Sequence, residues 1–259
     1  MKVAIVGKGK AGLALRTALT EKGIVPIWCW SRTDNVELVS LPTVDVILIA
    51  VADRAIAEVA KRLANRAGAM TEIWLHLSGF HEGTHCRVDE NIPRASGSFH
   101  PLCALNSAKG ILQHLQGCIA GVDGEPEAVA CATSLASELA MVPVHLKPGS
   151  KKLYHAAAVT VAGHVTALFD RATKALLHCG FEEEASQKAL LELLRTTVDN
   201  LKSGPPKNVM TGPVARGDTH VTEAHIQALG AVDPPLANVY EHLVTLALEL
   251  REETETSQN

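Results

Sequence analysis

Residues 1–12, "MKVAIVGKGKAG", constrain the fold more than any other stretch of the chain. The apolar run "VAIV" is too short for a helix and suits a strand buried on both faces. Three glycines follow at Gly7, Gly9 and Gly12, in the spacing G-x-G-x-x-G. A strand, a glycine turn and the start of a helix make the opening of a βα unit in a parallel sheet. In that context Gly7 permits the tight turn, and Gly9 lets the backbone approach a pyrophosphate. Gly12 lets helix and strand pack closely. Lys10 and Ala11, at the helix N-terminus, then face the anion. Without a ligand the same residues are only a glycine-rich turn.

The alternation continues for more than half of the chain. Apolar runs predict strands over 24–30, 44–53, 72–78, 95–100, 117–124 and 141–146, with helices over 11–23, 53–66 and 125–140. Strands apolar on both faces and alternating with helices imply a parallel sheet covered on both sides. Pro26 suggests an irregular start or an edge position for the second strand. After "KPGSKK" (147–152) the pattern turns helical. Residues 153–169 contain no Asp, Glu, Lys or Arg, which predicts one long, buried central helix running to about residue 180. Further helices are expected over 182–204, 221–230 and 233–252, the last with Asp233 as N-cap. The fold class is therefore α/β. A Rossmann-type parallel sheet domain spans 1–148, an all-α domain spans 149–252, and a disordered tail spans 253–259.

Composition excludes some functions. A net charge of −4 and 3% aromatic residues argue against a nucleic-acid binder, which needs a basic surface and stacking platforms. No stretch reaches the roughly 20 apolar residues that span a bilayer. The opening run is too short for a signal peptide. The six cysteines are scattered without a C-x-x-C pair. They read as reduced, mostly buried thiols and place the protein in the cytoplasm.

The strand ends carry the candidate chemistry. The second strand ends in "WSRTD", placing Ser31 and Arg32 where an acidic residue would hold the ribose of NAD. An arginine there suits the 2′-phosphate of NADP, and Lys8 and Lys10 add charge nearby. Val51 and Asp53 end the next strand and border the nicotinamide side, although Asp53 is equally a helix cap. Ser78 in "HLSG" and His100 in "GSFHP" face the same crevice. His76, His81, His85 and Cys86 are close in sequence, but their spacing fits no recurrent zinc pattern and no metal is expected. On the first long helix, Lys151 and His155 share a face and are candidate proton donors. Arg216, in the stiff loop "TGPVARGD", is a candidate anchor for a substrate carboxylate. Asp218 either caps the next helix or holds Arg216. A plain salt bridge is the alternative role for that arginine.

These stretches, together with "VILIAVADRAI", "LYHAAAV" and "HIQAL", resemble Rossmann-like proteins with a C-terminal domain of unknown function. Members of that family are taken to be NADP-dependent oxidoreductases. The family is distantly related to ketopantoate reductase, pyrroline-5-carboxylate reductase and 6-phosphogluconate-type dehydrogenases. The resemblance implies NADP as cofactor, a helical domain of the 6-phosphogluconate dehydrogenase C-terminal type, a small-molecule substrate and a homodimer formed through that domain. The better-known relatives use a lysine and an asparagine four residues on. Here Lys151 is followed at that spacing by His155, and Lys152 by Ala156. The expected activity is hydride transfer between NADP(H) and a small anionic carbonyl or imine compound. The alternative is an NADP-binding sensor or scaffold without catalysis.

Overall fold

The computed structural model describes residues 1–32, 34, 40–105 and 110–256. By contacts the chain divides into two compact units, Met1–Ala162 and Gly163–Asn259. The change from strands to helices occurs near Lys147–Lys151, as the sequence suggests. The first turns of the following helix nevertheless pack with the sheet, so the dividing point lies at Ala162.

The first unit contains β1 (Val3–Val6), α1 (Lys10–Glu21), β2 (Trp28–Trp30), β3 (Val46–Ile49), α2 (Ile56–Ala64), β4 (Ile73–His76) and β5 (Ala95–Pro101). It continues with α3 (Ile111–Leu115), β6 (Ile119–Gly124), α4 (Pro126–Glu138), β7 (Val142–His145) and α5 (Lys151–Val159). The strands form one sheet in the order β2-β1-β3-β4-β5-β6-β7. Strands β1 to β5 are parallel, in register Ile5↔Leu48 and Leu48↔Leu75. Alternation along each strand feeds two cores. Val3, Ile5, Val46 and Leu48 pack with Leu15 and Leu19 of α1 and with Leu135 of α4. Ala4, Val6, Ile47 and Ile49 pack on the other face with Ile56 and Leu63 of α2.

Three expectations are corrected. The sheet is not wholly parallel: β6 runs antiparallel to β5, and β7 is parallel to β6. A parallel return needs a long crossover, and the only helix seen between β5 and β6 among the described residues is the five-residue α3. The second strand holds three residues, not seven, and Pro26 lies outside it because proline has no N–H for the ladder. Of the six cysteines only Cys86 is buried. Cys179 is exposed and the others are half-buried.

The second unit is all helical: α6 (Val165–Leu177), α7 (Glu183–Ser203), α8 (Pro206–Val209), α9 (Pro213–Arg216), α10 (Thr219–Val232) and α11 (Pro234–Thr256). Helix α6 packs on α7, and α10 packs on α11. Asp233 caps α11 by accepting the Leu236 N–H at 3.1 Å. The long helix predicted from 153 is interrupted by a π turn over Thr160–His164. The Thr160 hydroxyl donates back to Ala156 O at 2.9 Å, a bond that bends helices. Nor is this helix buried in the single chain, since Leu153 is 77% and Val161 74% exposed. The uncharged surface that suggested burial is present, but Leu153 and Val161 on it are exposed among the described residues. Helix α11 runs through Thr256, into the segment expected to be a disordered tail, and residues 257–259 lie outside the described residues. No helix among the described residues is long and apolar enough to cross a membrane.

Candidate functional site

The carboxyl ends of β1, β3, β4 and β5 lie along one edge of the sheet, and the candidate residues of the first unit collect there. A cavity of about 470 Å³ opens at this edge, lined by Gly7, Lys8, Gly9, Ser31, Arg32 and Val51 among others. Gly7 has φ 121°, and a Cβ on it would lie 2.1 Å from Ala50 O. A Cβ on Gly12 would lie 2.0 Å from Gly7 O. Both positions therefore require glycine for the protein's own packing. Gly9 differs: a Cβ there meets nothing within 4 Å. Its empty surroundings mark where another molecule can approach the backbone. The first helical bond of α1 is Leu13 N–H to Gly9 O. The N–H groups of Lys10, Ala11 and Gly12 thus have no acceptor within the helix.

At the other end of the cavity, Arg32 is exposed beside Trp30 and Ser31. Lys8 is engaged elsewhere, donating to Asp34 at 2.8 Å. Asp34 also accepts the Ser31 N–H at 2.9 Å. Lys8 and that N–H hold the Asp34 carboxyl below the usual aspartate range. Arg54 and Arg62 line the cavity too, and the Arg62 guanidinium sits 5.2 Å from the Trp30 ring centroid. Sequence reasoning missed both arginines. The available signal was the four-residue spacing of Arg54, Glu58 and Arg62, which sets one helix face toward the cavity.

Further along the edge the side chains are fixed by one another. His76 is fully buried, accepts the Ser78 N–H on Nδ1 at 3.2 Å and donates from Nε2 to Glu82 O at 2.9 Å. Burial pulls its pKa down to about 4, so the ring is neutral. The Ser78 hydroxyl oxygen accepts the N–H groups of Phe80 and His81, both at 3.0 Å, and so holds a turn. His81 and His85 stack with ring centroids 3.7 Å apart. Burial pushes the Cys86 thiol up to about 12. Among the described residues no three His, Cys, Asp or Glu side chains converge to hold a metal.

Lys151 is fully buried. Its ammonium donates to Ser78 O at 2.7 Å and to Ser98 Oγ at 2.9 Å, and lies 3.4 Å from Asp123 Oδ1. Asp123 in turn accepts the Ser98 hydroxyl and the Gly83 N–H. Burial lowers the lysine's pKa, and Asp123 opposes the shift. One turn on, Tyr154 bonds His100 Nδ1 at 2.8 Å. Burial raises the Tyr154 pKa to about 12, with the Gly121 backbone opposing the shift. The phenol therefore keeps its proton and donates to Nδ1, leaving Nε2 of His100 as the N–H. Burial, then the Lys151 ammonium and the neighbouring His155, lower His100 to about 4. The half-buried His155 ring lies 6.1 Å from that of His100 at 84°.

Gly79 is what lets the two imidazoles converge. A Cβ there would lie 2.8 Å from His100 Nε2 and 2.7 Å from His155 Cδ2. No sequence signal singled out this glycine, or Tyr154, Ser98 and Asp123. Asp53 opens a short turn (Asp53–Ala55) without a capping bond among the described residues, and its charge acts on His100 and Lys151. A second cavity of about 470 Å³, bounded by Glu82, Asp123, Glu125 and His145, contains none of the expected site residues.

Arg216 belongs to the second unit. Its Nε donates to Asp218 at 2.8 Å, and its side chain is 64% exposed. Gly212 and Gly217 flank α9 with φ 98° and 76°, the conformations that the glycines of this loop suggested. Asp218 holds the arginine, and no side-chain bond from it caps α10.

A family described as a domain of unknown function, DUF2520, matches residues 118–246. No curated protein matches the chain. Solved structures share its fold. Protein TM1727 from Thermotoga maritima is 20% identical with a TM-score of 0.77, covering 98% of this chain and 99% of that one. BF3122 from Bacteroides fragilis, a proposed NADP oxidoreductase, is 20% identical with a TM-score of 0.77 over 96% and 98% of the two chains. A reductive aminase from Aspergillus terreus, in complex with NADPH and ethyl levulinate, is 17% identical with a TM-score of 0.65 over 97% and 98%. With a Rossmann-type first unit, a helical second unit and this domain match, the chain fits the Rossmann-like proteins that carry a C-terminal domain of unknown function.

Proposed function

We propose that the protein is an NADP(H)-dependent oxidoreductase acting on a small anionic carbonyl or imine compound. One observation carries the reading. The open glycine cradle, the arginine-lined cavity and the paired imidazoles occupy the same carboxyl edge of the sheet, where such folds place cofactor and substrate. The α1 N-terminus holds the pyrophosphate, through N–H groups that lack helical acceptors. Arg32, with Arg54 and Arg62 nearby, recognises the 2′-phosphate. Asp34, the acid that would favour a ribose hydroxyl, is already occupied by Lys8 and the Ser31 N–H. Bound nicotinamide supplies or accepts the hydride.

The remaining chemistry falls to the chain. His100, neutral and protonated on Nε2, donates a hydrogen bond to the substrate's oxygen or nitrogen. His155, beside it and less enclosed, delivers the proton. Lys151 acts by holding Ser78 and Asp123 in place, since its ammonium is fully engaged. Arg216 anchors the substrate carboxylate, with Asp218 fixing its planar fork. The exposed Leu153 and Val161 in the first unit, and the exposed Leu246 in the second, each support a homodimer. Light scattering at twice 27.5 kDa is the expected result.

Calorimetric titration with NADPH and NADH tests the reading, followed by NADPH oxidation with small oxo-acids and cyclic imines. Preferential NADPH binding with turnover supports it. NADPH binding without turnover of any such compound favours the sensor reading, to which the engaged Lys151 lends weight. Binding of neither cofactor refutes both.

A further inference from the structure

Two of the half-buried cysteines face each other across the antiparallel ladder. Strands β5 and β6 pair Pro101 with Ala120, and beyond them Leu102 N–H donates to Ile119 O at 2.8 Å. The next opposed positions are Cys103 and Cys118. Opposed positions alternate between hydrogen-bonded and non-hydrogen-bonded pairs, and extending the register makes this one of the second, closer kind, for which Cα atoms are typically about 4.5 Å apart. That lies within the roughly 4.4–6.8 Å that a disulfide spans. By strand alternation both side chains share the sheet face of Phe99 and Val122, and both pack against that core. Their thiols interact directly. Cys118 helps to hold the proton on the Cys103 thiol, and Cys118 donates to His114 O. The neighbouring Leu102, Gln116 and Gly117 are exposed, so a small oxidant can reach the pair.

We propose that Cys103 and Cys118 form a reversible disulfide driven by hydroperoxides, stapling the end of β5 to the start of β6. The Cys103 thiol is held protonated by burial and by its neighbour, at about 12, so the first attack is assigned to Cys118. Its sulfur attacks the distal oxygen of the hydroperoxide, the O–O bond breaks, and the remaining oxygen leaves with the thiol proton, giving a sulfenic acid and an alcohol, or water when the oxidant is hydrogen peroxide. The Cys103 sulfur then attacks the Cys118 sulfur. The S–O bond breaks, the hydroxyl leaves with the Cys103 proton as water, and the S–S bond forms. Two thiols are oxidised by two electrons and one hydroperoxide is reduced by two. A dithiol reverses the reaction. This chemistry is independent of hydride transfer, so neither proposal falls with the other.

The test uses the full chain and hydrogen peroxide, followed by tryptic digestion without reductant and mass spectrometry. Cleavage at Arg94, Lys109 and Lys151 places Cys103 on peptide 95–109 and Cys118 on peptide 110–151. The second peptide also contains Cys131, so Cys131→Ser is the control. The expected result is the two peptides joined with the loss of two hydrogens, and separated by dithiothreitol. The link persists in Cys131→Ser and disappears in Cys103→Ser and in Cys118→Ser. A dimedone adduct on Cys118 should accumulate in Cys103→Ser. Circular dichroism of each serine variant, matching wild type, separates a lost link from a lost fold. Oxidation of the two sulfurs to separate sulfinic acids with no link overturns the proposal. So does a link that survives in Cys118→Ser.

Discussion

Replacing Lys151 with Met distinguishes a structural lysine from a catalytic one. The ammonium is fully buried and is held by Ser78 O, Ser98 Oγ and Asp123. Methionine fills a similar volume but leaves Asp123 as a buried charge with only the Gly83 N–H and the Ser98 hydroxyl. Removing one partner of a buried pair costs about 3–5 kcal/mol. For a unit of this size each kcal/mol lowers the melting temperature by about 2–4 °C, so the loss is on the order of 10 °C. The double variant Lys151→Met, Asp123→Asn removes both charges and keeps a hydrogen-bonding side chain. It should recover part of that loss, with a coupling of about 1–3 kcal/mol. Thermal and urea unfolding followed by circular dichroism provide the cycle. A Met variant that melts within about 2 °C of wild type yet has lost turnover would refute the structural role. Lys151 would then be the proton donor.

Arg32→Ala should weaken NADPH binding by about 10–100-fold and leave NADH binding unchanged, since a hydrogen bond to a charged group contributes about 1.5–3 kcal/mol. Equal losses for the two cofactors in calorimetry would remove Arg32 from the 2′-phosphate. Gly9→Ala should stay within about 0.5 kcal/mol of wild-type stability while losing NADPH affinity, because its Cβ meets only open space. Gly12→Ala should lose both, because its Cβ would strike Gly7 O. Matching melting temperatures for the two variants would contradict this contrast. His76 and His100 are both lowered to about 4, against an ordinary value near 6.5 in the unfolded chain. The unfolded state therefore binds more protons between those values, and stability rises with pH across that window. It is fully present above about pH 6.5 and is lost as pH falls toward 4. His76→Gln should flatten the acid limb of a urea-unfolding series by up to one proton, and an unchanged slope would refute the buried neutral imidazole.

What could be read from the sequence was local. The β1–α1 unit, the cavity around Gly9 and the position of Arg32 depend on residues within one strand, one turn and one helix. Their pattern survives without knowledge of the rest. The direction of β6 was not legible, because it depends on the path of the connection and not on the apolar run, which reads alike either way. The function of Lys151 was hidden for a similar reason. Its partners come from the end of β4, from β5 and from β6, and no spacing in the chain brings Ser78, Ser98 and Asp123 together. The exposed Leu153 and Val161 show a different limit. An uncharged helix indicates that something covers it, but not that the cover lies in the same chain.

The segment from Ser78 to Gly83 is where these long-range constraints meet. His76 holds Glu82 O, the Ser78 hydroxyl holds two N–H groups, Lys151 holds Ser78 O, and Asp123 holds the Gly83 N–H. Every one of these bonds restrains the backbone on either side of Gly79, and Gly79 is the contact against which His100 and His155 are set. Lys151, Tyr154 and His155 are spaced at i, i+3 and i+4, so one face of α5 delivers all three to the sheet. The lysine is therefore linked to the imidazoles through geometry and not through proton transfer. All these residues lie between Met1 and Ala162, so the bonds and contacts named here that set the imidazole pair are made within the first unit.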